Sequence, residues 1–230
     1  MRIAEIFDSI QGEGPAMGLP CTFVRLSGCN LRCAWCDTPQ ASWNPQGSDY
    51  SIADLVMRAE QNPNSAVVIT GGEPFLFAEL GALCDRLREA GHLVHLETSG
   101  SLFAPIHADL VCVSPKLANS TPSASEHPEW SARHERARLP LDTLRQFVAH
   151  FGEKLYLKFV VRTESDLAEI HTLLAQIGFQ DKSRVFLMPE SQTRAELDQR
   201  AESIALLCVK TGFRYSDRLH VRIWGSELGR

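Results

Sequence analysis

Apolar residues along this chain follow two alternating patterns. Short runs rich in apolar and β-branched side chains, Cys21–Leu26, Ala66–Thr70, His92–Glu97, Asp109–Val113, Leu155–Val161 and Arg184–Met188, predict strands. Between them the apolar positions move to helical spacing. Ser51–Asn62 carries Ile52, Leu55, Val56 and Ala59 on one face, and Ser51 and Asp54 are placed for a capping box. Phe75–Ala90 repeats the spacing through Leu76, Leu80, Leu83 and Leu87, with Gly91 as a stop signal. Glu164–Ile177 does so through Leu167, Ile170, Leu173, Leu174 and Ile177 before Gly178, and a last helix is expected from about Thr193 to Thr211.

Strand–helix alternation implies parallel strands joined by right-handed crossovers. Six such units fall two short of a closed eightfold barrel, so the expected fold is α/β, an open partial (β/α)6 barrel in one domain spanning residues 1–230. Ligands in such folds collect beyond the carboxyl ends of the strands. The unusual segments all follow strands: Cys29–Cys36, Gly71-Gly72-Glu73-Pro74, Thr98-Ser99-Gly100 and Ser114-Pro115-Lys116. Residues 1–20 precede the first barrel strand and are read as an added edge strand, Ile3–Phe7, with a polar loop. Residues 118–138 are rich in Ser, Pro, His, Arg and Glu without an apolar period, and are read as a solvated insertion, with a lid as the rival reading.

Composition narrows the function. A hydrophobic content of 44% and a charged content of 22% are ordinary globular values, and a net charge of −5 gives no support for a nucleic-acid partner. There is no apolar run of membrane-spanning length, and Met1-Arg2-Ile3-Ala4-Glu5 lacks a signal-peptide pattern, so a cytoplasmic, reducing location without membrane partners is expected. In that compartment clustered cysteines point to metal or catalysis. Cys21, Cys84, Cys112 and Cys208 stand singly in apolar segments and are read as core.

Cys29, Cys33 and Cys36 are different, because C-x3-C-x2-C on one short loop supplies three thiolates and no fourth. A closed structural site uses four ligands, so three imply an open coordination position. A zinc site completed by a remote histidine such as His92 or His95 is the competing reading at this stage.

With Trp35 just before the last cysteine, this loop resembles the signature of the radical S-adenosylmethionine (SAM) superfamily. The resemblance implies one 4Fe–4S cluster per chain on Cys29, Cys33 and Cys36, with SAM chelating the fourth iron. Gly71-Gly72-Glu73-Pro74, one strand–helix unit later, is similar to the superfamily's GGEP motif. The implied SAM contacts are Trp35, Cys36, Asp37, Gly72, Glu73, Glu97, Ser99, Ser114, Pro115, Lys116, Met188, Pro189 and Glu190.

Ile10-Gln11-Gly12-Glu13-Gly14 has the wrong glycine spacing for a dinucleotide fingerprint and precedes a strand, so that reading fails. It resembles instead the I/L-Q-G-E-G segment of the 7-carboxy-7-deazaguanine synthase family, as do Arg25, Gly28 and Cys36-Asp37-Thr38. This resemblance implies a carbon–nitrogen lyase that contracts the ring of 6-carboxy-5,6,7,8-tetrahydropterin. It implies substrate contacts at Ile10, Gln11, Gly12, Glu13, Arg25 and Thr70, a Mg2+ ligand in Thr38, a flavodoxin-like or ferredoxin-like electron donor, and a homodimer. In the divergent C-terminal run Arg218–Gly225, His220 is the candidate substrate contact, with a hydrogen-bonded strand histidine as the rival. Two other functions compete: an activating enzyme for a glycyl-radical protein, and a non-enzymatic iron–sulfur or zinc module.

Overall fold

The computed structural model describes residues 1–62, 66–225, 227 and 229. Strand β1 (Arg2–Ile10) runs antiparallel to β2 (Pro20–Leu26), and the short β3 (Ser48–Asp49) pairs antiparallel with the start of β1. From β2 onward the sheet is parallel: β4 (Ala66–Gly71), β5 (Val94–Thr98), β6 (Leu110–Val113), β7 (Leu155–Val161), β8 (Val185–Pro189) and β9 (Arg214–Tyr215) follow in chain order. This is the expected partial barrel, with β3 and β9 added at its edges.

Helices α1 (Ile52–Glu60), α2 (Leu80–Glu89), α3 (Pro128–Ala137), α4 (Leu141–Phe151), α5 (Asp166–Ile177), α6 (Arg194–Thr211) and α7 (Leu219–Trp224) connect or follow the strands. Helix α1 has the expected capping box: the Asp54 amide donates to Ser51 Oγ at 3.1 Å, and the Ser51 amide donates to Asp54 Oδ2 at 3.1 Å. Helix α2 begins later than its spacing suggested, because Pro74–Leu76 forms a separate 3-10 turn. Helix α5 stops where Gly178 takes φ +73°.

Two expectations are corrected. Residues 118–138 are not a solvated, structureless insertion: they contain α3, and Ser120 and His134 within them are fully buried. The second concerns the number of helices: α4 adds one to the expected set, with Leu144, Phe147 and Phe151 as its buried face.

Strand alternation places the site. On the parallel strands Val24, Leu26, Val67, Ile69, Leu96, Val113, Leu157, Phe159 and Leu187 belong to the main core with the helices' Leu55, Leu83, Leu144 and Ile170. The opposite parity faces the hollow of the curved sheet. Its lower end is closed by Cys21, Ala66 and Val68, with Phe23 packed against them. Its upper end is open.

Candidate active site

That hollow is a cavity of about 230 Å³. Arg25 of β2, Thr70 of β4, Glu97 of β5, Lys158 and Val160 of β7, and Met188 of β8 line it from the strands, all of the inward parity. Cys29, Cys33 and Cys36 line it from the loop after β2, Ile10 from the end of β1, and Gln11, Gly12 and Glu13 from the loop that follows. The strand-end rule therefore holds, with the β1 loop folded across the same opening.

The cysteine loop is anchored by glycine backbone. The Gly28 amide donates to Ala41 O at 2.8 Å, and the Glu73 amide donates to Gly28 O at 2.8 Å. A Cβ on Gly72 would lie 2.1 Å from Gly28 O and 2.5 Å from Ala41 O, so the GGEP turn and the cysteine loop interlock only because residue 72 has no side chain. The three thiols are free. Burial pushes Cys29 up to about 11 and Cys33 up to about 12, as it does for the core cysteines. The Leu31 amide donates to Cys29 Sγ at 3.4 Å, and Ser42 Oγ lies 3.0 Å from Cys36 Sγ. Three free thiols on one loop at the cavity rim, with polar groups beside Cys29 and Cys36, are a donor set that fits a three-cysteine cluster.

The zinc alternative does not fit. Among the described residues no group of three or more His, Cys, Asp or Glu side chains is arranged to hold a single metal ion. His92 and His95 do not line the cavity. A cluster makes a different demand, one thiolate per iron at separate corners.

Glu73 does not line the cavity. Its fully buried carboxylate accepts from Thr98 Oγ1 at 2.7 Å, from the Ser99 amide at 2.9 Å, from Ser99 Oγ and from the Phe75 amide at 3.1 Å. Burial pushes its carboxyl up despite these donors. The residue thus ties the β4 turn to the β5 strand end, presenting Gly72, Thr98 and Ser99 to the cavity. Lys116 reaches Ser114 Oγ at 2.9 Å and lies 5.4 Å from the centre of the Trp35 ring.

On the other side lies a buried charge network. Lys158 Nζ donates to Glu13 Oε2 at 2.7 Å and Glu97 Oε2 at 3.0 Å. Arg218 Nε donates to Glu13 Oε1 at 2.9 Å, and Arg218 also holds Asp37 and the Ser191 carbonyl. Gln11 Nε2 donates to Glu97 Oε1 at 3.2 Å, and its Oε1 accepts from the Glu13 amide at 3.2 Å. Burial opposes ionisation of Glu13, but the Lys158 ammonium and then the Arg218 guanidinium hold its carboxyl well below the usual range. Glu97 moves the other way: burial pushes it up, and Lys158 offsets only part of that. Burial lowers His220, so its imidazole is neutral near pH 7.

The expected residues are not all equivalent. Gln11, Glu13, Thr70, Thr38 and His220 line the cavity, and His220 lies on α7 rather than on a strand. Arg25 also lines it, but its Nε donates to Glu5 Oε1 at 2.5 Å. Glu97, grouped above with SAM, is bonded to Gln11 and Lys158 and so shares the network of the β1 loop. Pro115, Pro189 and Glu190 are not among the lining residues, and Glu190 pairs with Arg162 at 3.3 Å and Arg200 at 3.4 Å. Cys112, read as core, is buried beneath the cavity and hydrogen-bonds Glu97. Lys158 and Arg218 belong to the site although no motif in the sequence marks them. A lone lysine in the apolar strand Leu155–Val161 was a readable signal, whereas Arg218 is brought in by tertiary folding alone.

A partial barrel whose first parallel strand leads into three free cysteines at the rim of an open cavity defines a radical SAM protein, and the Radical SAM superfamily pattern matches residues 23–115. The chain is 43% identical over 234 residues to the 7-carboxy-7-deazaguanine synthase of Halobacterium salinarum, covering 97% of this chain and 90% of that protein. It is 38% identical over 229 residues to the synthase of Rhodopirellula baltica, covering 100% of this chain and 88% of that one. The crystal structure of QueE from Escherichia coli superposes with a TM-score of 0.66 at 27% identity, covering 95% of this chain and 94% of that one. The chain belongs to the 7-carboxy-7-deazaguanine synthase family. As a radical SAM enzyme it uses a 4Fe–4S cluster and SAM.

Proposed function

We propose that this chain converts 6-carboxy-5,6,7,8-tetrahydropterin to 7-carboxy-7-deazaguanine with loss of ammonia, as a carbon–nitrogen lyase in queuosine and 7-deazapurine biosynthesis. The observation that carries this reading is the meeting, in one cavity, of the Gln11–Glu13 loop and its charge network with the three cysteines. The cluster and SAM, when bound, supply the electron and the hydrogen-abstracting radical chemistry.

The chain's own residues bind and orient. Ionised Glu13 is an acceptor suited to the paired N–H groups on the aminopyrimidinone side of a pterin. Gln11 and Thr70 offer hydrogen bonds to its remaining edges, and neutral His220 can accept or donate. Arg25 meets the substrate carboxylate by a charge-assisted bond, with Glu5 fixing the Nε end of its guanidinium. Lys158 and Arg218 keep Glu13 ionised inside a buried site, where an unpaired carboxylate would take up a proton. On the opposite wall Trp35, Gly72, Ser99, Ser114, Lys116 and Met188 form the SAM surface. The Thr38 hydroxyl, between the cysteine loop and the charge network, is the Mg2+ ligand, with substrate oxygens and water completing the shell of a hard cation. The enzyme acts in the cytoplasm as a homodimer and takes electrons from a flavodoxin-like or ferredoxin-like protein.

An anaerobic assay with reduced, reconstituted protein, SAM and the carboxypterin, read by mass spectrometry, tests the reading. Formation of the deazaguanine is expected. SAM cleavage without pterin turnover would favour a protein-activating enzyme, and failure of both would end the proposal.

A further inference from the structure

Helix α3 is polar almost throughout, and its one fully buried side chain is His134. Nothing in the charge network or the cavity lining calls for that histidine. Its two ring nitrogens meet different partners. Nδ1 accepts the Arg32 backbone N–H at 3.2 Å, so the ring proton resides on Nε2, which donates to Ser120 Oγ at 2.9 Å. Ser120 Oγ in turn donates to Leu117 O at 2.6 Å, and the Ser120 carbonyl accepts the Ala34 N–H at 2.8 Å. The amides on both sides of Cys33 are therefore held by one buried relay.

The same helix grips Arg32 a second time. Trp130 sits one turn before His134, on the same face. The Arg32 guanidinium lies 4.1 Å from the centre of the Trp130 ring, and its Nη1 donates to Cys29 O and Leu31 O at 2.7 Å each. Trp35 Nε1 donates to Asn119 O at 3.1 Å, tying the far end of the loop to the same segment.

We propose that His134 is a positioning residue for the iron–sulfur cluster: acting through Arg32 and Ser120, it holds the cysteine loop in its ligating shape before any iron is bound. The proposal rests on the reading that Cys29, Cys33 and Cys36 carry the cluster. The loop's amides need partners even in the cluster-free protein, because a buried N–H without an acceptor is costly. His134 supplies one acceptor directly and orients the residue that supplies the other.

The test separates the two layers. Iron and sulfide analysis of the reconstituted, unaltered chain tests the cluster reading. Site-resolved amide hydrogen exchange on the cluster-free chain tests the positioning. In His134→Ala, exchange at Arg32 and Ala34 should rise about tenfold or more, and the reconstituted protein should lose iron to a chelator several-fold faster. His134→Asn, whose Oδ1 can stand where Nδ1 stood, should restore protection at Arg32. Arg136→Ala, an exposed position on the same helix, should change neither. Unaltered exchange and iron loss in His134→Ala would overturn the proposal, and so would faster exchange spread evenly over the chain without rescue by Asn. Should His134→Ala fail to fold, Ser120→Ala leaves Nε2 without its acceptor, and unchanged protection at Arg32 and Ala34 in that variant would overturn it equally.

Discussion

Lys158 of β7 and Glu13 of the β1 loop, 145 residues apart in sequence, meet in an ion pair of 2.7 Å with both side chains largely hidden from water. The ammonium also serves Glu97, so one cation balances two buried carboxylates. Lys158→Met should therefore do more than remove a bond. It leaves Glu13 with Arg218 as its remaining strong cation and Glu97 with none, a loss of roughly 3–5 kcal/mol in a buried pair. Chemical denaturation should register that loss, and pterin turnover should fall by at least about a hundredfold, while iron content after reconstitution stays near one cluster per chain.

The β1 loop is locked to the C-terminal segment by close approach. The Leu219 amide donates to Gly12 O at 2.9 Å, and a Cβ on Gly12 would lie 2.0 Å from His220 Nδ1. Gly12→Ala should raise the KM for the pterin, because the histidine ring must swing away from Glu13. In Gly12→Ala/His220→Ala the clash is gone, so the two losses should fall short of additive by about 1 kcal/mol or more, measured from kcat/KM in a double-mutant cycle.

Gly72 poses the opposite case, since a side chain there would meet backbone atoms that cannot swing aside. Gly72→Ala should displace the cysteine loop, and the expected readout is poor iron retention in a chain whose far-ultraviolet circular dichroism remains that of the folded barrel.

How far the residues reveal the fold varies from element to element. The barrel strands were legible because each is a short run dominated by apolar and β-branched side chains, bounded by turn residues or helical spacing. Helix α4 had a readable period in Leu144, Phe147 and Phe151, but it starts directly after Pro140 behind a polar stretch. Helix α3 hid for a physical reason: the side chain it buries is a histidine, so no apolar stripe marks its inner face. The cavity residues Gln11, Glu13 and Thr38 were legible by motif, Lys158 by its oddity within an apolar strand, and Arg218 not at all. What Arg218 does depends on Glu13 and Asp37, and no local spacing records a partner 205 residues away.

Acidity offers a further check. Burial lowers the His134 imidazole from 6.5 to about 4, against the pull of Glu135 and with help from Arg138 and Lys116. The unfolded chain then binds the proton more readily than the folded one below pH 6.5. Stability from this residue is present above that value and is lost progressively as pH falls towards 4. Unfolding free energies measured by denaturant across that interval should slope less steeply in His134→Asn than in the unaltered chain.

Magnesium dependence tests the Thr38 assignment. Thr38→Ala should raise the Mg2+ concentration needed for half-maximal turnover and leave the iron content unchanged. An identical magnesium titration would remove Thr38 from the metal shell.

The bracket around the cysteines has a consequence for the order of events during synthesis. Arg32 and His134 are 102 residues apart, and chains grow at about 5–20 residues per second. The three thiols thus leave the ribosome about 5–20 seconds ahead of the helix that shapes their loop. With His134 in the positioning role proposed above, iron offered in that interval meets a loop without its bracket, and productive cluster insertion is expected only once α3 has been made.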